Sequence, residues 1–141
     1  MPIKSFRGML ADGAMDTINL HTNQGSIGYR ITKLQIIPNT PGTNIDGVVK
    51  VFSREPGAAV ATVDFSDQTL IAVAWNYNDT YETQEVIVFD NVTFNQDIYV
   101  QLHEDKSSGA MNYHIELEQV KLDLNENTVA TLKDIRNIVG Q

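Results

Sequence analysis

The chain has 141 residues, 42% of them hydrophobic and 20% charged, which suits one folded domain and excludes a disordered chain. It contains no cysteine, so thiol nucleophiles, zinc–thiolate sites and disulfide frameworks are excluded together. A formal net charge of -8 and a pI of about 4.6 argue against a nucleic-acid groove or an anionic membrane surface as partner, since both recruit Lys and Arg.

The chain opens with Lys4 and Arg7 among Ile3, Phe6, Met9 and Leu10, and reaches Asp12 without an apolar run of ~7–15 residues. No signal peptide is expected, nor any membrane span of ~20 apolar residues, and synthesis in the cytosol follows. Residues 1–14 read in two ways. They are either the first strand, or an N-terminal arm that adds to a partner through Ile3, Phe6, Arg7 and Leu10.

Short β-prone runs follow, separated by Gly, Asn, Asp and Pro. Residues 18–21 form the first. Residues 29–37 form a stronger one, with Tyr29, Ile31, Leu34 and Ile36 apolar; the alternation slips at Thr32-Lys33, where a bulge is expected. Residues 38–44 are a loop. Residues 48–54 set Val49, Val51 and Ser53 against Val48, Lys50 and Phe52, and Glu55-Pro56-Gly57 ends the run. Residues 58–65 and 70–75 are two more strand candidates, and 76–80 is a polar loop. Residues 85–90 make a compact strand. Residues 97–103 set Ile98, Val100 and Leu102 against Tyr99, Gln101 and His103, and 112–122 set Tyr113, Ile115 and Leu117 against His114, Glu116 and Glu118. The Lys106-Ser107-Ser108-Gly109 turn between these two runs predicts a β-hairpin.

Only the C-terminus changes period. Val129, Leu132, Ile135 and Val139 recur at helical spacing, with Asn125 or Asn127 as cap and Gly140 beyond, so a short α-helix is expected over 125–139. It docks either on its own sheet or on a neighbouring subunit through Leu132 and Ile135. The expected fold is mainly β: one domain over 1–141, an antiparallel β-sandwich or jelly-roll-like sheet pair with this helix at its end.

Little in the chain suggests chemistry. His103 and His114 fall on the polar sides of the two hairpin strands, across from one another, with Glu104, Glu116 and Glu118 nearby. No HExxH spacing accompanies them, and they read as polar surface residues. Asp64, Asp67, Asp79, Glu82 and Glu85 lack the spacing of a calcium loop. GxSxG, P-loop and GxGxxG motifs are absent. No catalytic residue, metal or cofactor is expected. Trp75, Tyr77 and Tyr81 cluster around an Asn/Asp loop; such aromatic faces beside polar groups stack and hydrogen-bond sugars. The plainer reading puts Trp75 in the core and the tyrosines over loop edges.

Several stretches carry a resemblance across nearly the whole chain. They are 5–13 (SFRGMLADG), 28–36 (GYRITKLQI), 61–67 (ATVDFSD), 89–91 with 94–98, 113–118 (YHIELE) and 130–137 (ATLKDIRN). In these the chain resembles small virion structural proteins of marine tailed phages, of the decoration or cement kind. The resemblance is one of overall pattern and carries no catalytic motif. It implies a non-enzymatic virion component, made in the host cytoplasm. Within a virion, a small acidic β-domain suits capsid decoration. There it would bind the major capsid protein lattice or other virion proteins as a homo-oligomer, and neither nucleic acid nor membrane. The alternative is a neck, tail or fibre-associated β-module, glycan-binding through Trp75, Tyr77 and Tyr81.

Overall fold

Alternating apolar and polar residues in an extended chain give each strand one face to bury, and two sheets that bury those faces against each other make a sandwich. The computed structural model describes residues 3–20, 27–89, 92–106 and 109–122. Eight strands lie in them: β1 (Ile3–Leu10), β2 (Met15–Ile18), β3 (Ile27–Pro38), β4 (Ile45–Phe52), β5 (Leu70–Asn78), β6 (Glu82–Val88), β7 (Ile98–Glu104) and β8 (Met111–Lys121). They form a three-stranded sheet in the order β1-β8-β3 and a five-stranded sheet in the order β2-β7-β4-β5-β6, with every pairing antiparallel. There is no helix among the described residues. The helix expected over 125–139, with Leu132 and Ile135, lies outside them.

The core sits between the inner faces. Tyr29, Ile31, Leu34 and Ile36 of β3 and Met111, Tyr113, Ile115 and Leu117 of β8 come from one sheet. Ile45, Val49 and Val51 of β4 with Ile98, Val100 and Leu102 of β7 come from the other. The slip in β3 is a bulge: its register with β8 shifts between Ile31 and Lys33. The side chain left over, Thr32, turns its hydroxyl to the carbonyl of Glu116 at 3.2 Å. Gly47 faces inward where β4 passes under β8, and a Cβ there would stand 2.5 Å from Met111 Sδ.

Two expectations are corrected. The segments around the 106–109 turn do not form a hairpin. β7 pairs with β2 and β4, whereas β8 pairs with β1 and β3, so the connection crosses from one sheet to the other. Alternation identifies the buried side of a strand and leaves its neighbour open, and a six-residue connection over 105–110 spans the ~10 Å between packed sheets. Residues 58–65 are not a strand; they belong to a long strap over 53–69 that lies on the outside of the five-stranded sheet. Of the two readings of the N-terminal segment, residues 3–10 take that of a first strand. They are strand β1, paired with β8 along its whole length from Ile3↔Glu118 to Leu10↔Met111.

Candidate ligand-binding face

The outer face of the five-stranded sheet is built by the residues that alternate away from the core. The register places Val48 beside Trp75 and His103, Lys50 beside Val73 and Gln101, and Phe52 beside Tyr99. Glu85 and Ile87 of β6 stand next to Trp75 and Val73. A face this apolar needs a cover, and the strap supplies it. The strap closes at its base through Ser53 N–H to the Thr69 carbonyl at 2.8 Å. Lys50, only 6% exposed, donates its ammonium to the carbonyls of Val60, at 2.9 Å, and Thr62. Gln101 donates from Nε2 to the Gly57 carbonyl at 2.7 Å. Burial lowers the pKa of Lys50, partly opposed by the charge of Asp67. At the far end, Phe65 meets Phe89 edge to face with ring centres 5.3 Å apart.

The strap does not close over the whole face. It leaves a pocket of about 360 Å³ with Val48, Val73 and Trp75 as its floor and Ala61, Val63 and Phe65 of the strap as one wall. Its other lining is Ile87 with Asp46, Glu85, His103 and Asp105. The indole Nε1–H of Trp75 donates to Asp46 Oδ1 at 2.8 Å, which fixes the ring plane. His103 Nε2 lies 2.8 Å from Asp105 Oδ1. Trp75 is therefore half-buried on an outer face and is not core.

The three aromatic residues singled out in the sequence come together. Trp75 and Tyr77 have ring centres 6.0 Å apart, and Tyr77 and Tyr81 4.8 Å apart, so they form a row along β5 and into its turn. Lys106 Nζ bridges to Asp79 at 3.3 Å on the same turn, and this bond raises the lysine pKa. The two histidines do not come together. His103 points outward from the five-stranded sheet and His114 outward from the three-stranded one, on opposite sides of the sandwich. Among the described residues no three of His, Asp and Glu stand close enough to hold a metal ion.

The residues expected to contact a partner divide by strand face. Leu10 is buried in the core at 1% exposure, and Phe6 is partly buried and packs against the core. Ile3 and Arg7 point outward with Met9; Ile3 is 55% and Met9 58% exposed. Met9 and Ile37 flank Asn112 across the sheet and line a shallow depression with Arg7, Gln35 and His114. The strap and the rim of its pocket were not legible in the sequence. The available signal was Lys50, a lone charge on a strand side otherwise made of Val48 and Phe52. No family model, no curated protein and no solved structure matches the chain.

Proposed function

We propose that this protein is a non-enzymatic structural component of a phage virion, a decoration or cement subunit that binds the lattice of the major capsid protein. The carrying observation is the outer face of the three-stranded sheet, where Ile3 and Met9 of β1 and Ile37 of β3 are each more than half exposed and where β1 is an edge strand among the described residues. Large apolar side chains left open on an edge strand are what a second protein covers. The strand order also supports a jelly roll, a fold of capsid and lectin domains that nests antiparallel pairs from the chain ends inward. β1 pairs with β8, β2 with β7 and β4 with β5. The chain departs from that pattern at the remaining pair: β6 joins β5 at the edge of the larger sheet, and β3 makes a single bridge, from Tyr29 to Phe94 beyond β6.

On this reading the protein is made in the host cytoplasm, assembles as a homo-oligomer on the shell, and turns nothing over. Each contact buries on the order of 1,200–2,000 Å² in total, and repetition over a symmetric lattice turns modest affinity into avidity. Binding the assembled state in preference to free subunits raises particle stability by linkage. The test is co-sedimentation with expanded shells that lack the protein. Binding at a fixed ratio to capsid subunits is expected, and the doubly substituted Ile3→Asp, Met9→Asp protein should lose it while melting within a few degrees of the parent. Absence of binding to shells removes the decoration reading.

The aromatic row favours a second reading, a tail- or fibre-associated module that stacks a glycan on Trp75, Tyr77 and Tyr81. Saturable binding on a glycan panel, lost in Tyr81→Ala, is its signature.

A further inference from the structure

The geometry points to the pocket under the strap as a binding site for a small organic cation, an alkylated ammonium group on a short apolar body. The pocket is distinct from the outer face of the three-stranded sheet on which shell binding rests. It lies on the opposite side of the sandwich, so the two readings fail separately.

Three features of the lining select this occupant. The first is size. At about 360 Å³ the pocket lies at the low end of the ~300–1,000 Å³ usual for small-molecule sites, which suits a group of a few heavy atoms. The second is the wall. Val48, Val63, Val73 and Ile87 offer methyl surface with few polar partners, and Trp75 and Phe65 add aromatic rings. The indole is held by its bond to Asp46, so its orientation is set before a ligand arrives. Indole faces attract cations through the ring quadrupole, and quaternary ammonium groups, which need no hydrogen-bond acceptors, suit such walls. The third is charge. Asp46, Glu85 and Asp105 line the pocket and no Lys or Arg does; Asp46 accepts from the indole and Asp105 meets His103 at the rim, which leaves Glu85 as the carboxylate facing the opening. These carboxylates are spread around the lining without forming a metal-binding group among the described residues, so they set a negative potential without offering a chelating site. The net charge of -8 adds long-range attraction of the same sign.

The molecule carries its own reporter. Trp75 is its only tryptophan and lines the pocket, so intrinsic fluorescence reads occupancy directly. The experiment titrates the full chain with choline and with choline's uncharged carbon isostere, dimethylbutanol. Choline should give a saturable change in emission at roughly millimolar concentration, as befits so few atoms. The neutral isostere should bind at least about ten-fold more weakly. Glu85→Gln, at an exposed carboxylate, should weaken choline several-fold without altering the melting temperature, and added salt should weaken it further. A lysine residue blocked at both backbone ends is titrated in parallel. Tighter binding of choline names a free small molecule as the source of the cation, and tighter binding of the lysine names a partner's side chain. Equal binding of the neutral isostere overturns the proposal, as does absence of any saturable response. A response to methyl glycosides without one to choline overturns it in favour of the glycan reading.

Discussion

Tyr113 reaches from β8 across the sandwich to Asp16 on β2, its hydroxyl donating to the carboxylate at 2.8 Å. The approach is close enough that Gly8, opposite Tyr113 in the register, has no room for a side chain: a Cβ there would stand 2.9 Å from both the hydroxyl and the carboxylate oxygen. Burial, then the bond to Asp16 and its negative charge, raise the tyrosine pKa well above its ordinary value of 10.0. The folded state thus keeps this proton where the unfolded chain releases it. Above about pH 10 the unfolded state binds fewer protons, so the contribution is complete below that pH and is lost as pH climbs. Lys50 works in the opposite sense, because its pKa is lowered in the folded state and stability gains as pH approaches 10.5. Tyr113→Phe separates the two. It should cost about 1–3 kcal/mol at neutral pH and flatten the alkaline fall in urea-unfolding free energy. An unchanged fall would assign the alkaline loss to other groups, such as Tyr99, whose pKa burial also raises.

The strap shows how one charged residue organises an element that lacks regular structure. Its backbone has carbonyls at Gly57, Val60 and Thr62 turned toward the sheet, and Gln101 and Lys50 supply their donors. Local bonds shape its far end: Asp64 accepts from the Ser66 amide at 2.9 Å and its hydroxyl at 2.5 Å, and Asp67 accepts from the Thr69 amide at 2.9 Å. The serine bonds hold the Asp64 pKa below its ordinary value. Lys50→Met keeps the length and apolar stem of the side chain and removes the donor. Loss of about 1–3 kcal/mol is expected, together with a red-shifted Trp75 emission as the strap lifts from the pocket. An unshifted emission would mean that Gln101 and the Phe65–Phe89 contact suffice to hold the strap.

For the whole molecule, the pairing of β1 with β8 joins chain positions as far apart as Ile3 and Glu118, and that of β2 with β7 positions as far apart as Met15 and Gln101. Closing such long loops before their contacts form slows folding in all-β sandwiches to roughly milliseconds to seconds. Stopped-flow refolding followed by Trp75 should fall in that range, and a microsecond phase carrying the full amplitude would contradict it. The same topology places the strap over one outer face of the sandwich, and among the described residues nothing covers the other. The strap-covered face holds the pocket, and the other presents Ile3, Met9 and Ile37.

Alternation along each strand is a local property, and it determined a great deal. It set which residues of β3, β4, β7 and β8 face the core and placed the β3 bulge at Thr32, whereas the strand that carries Trp75 runs on through Tyr77 to Asn78, where a loop was expected. Composition and charge narrowed the partner chemistry before any contact was known. Which sheet a strand joins is not local, because both sheets ask for the same period. Only the tertiary structure sent β7 and β8 to different sheets, which parted His103 from His114. The same holds for residues 58–65, whose apolar run fits a strand or a cover equally well. What decided between them was the apolar outer face of β4 and β5, a surface that exists only once the sheet is assembled.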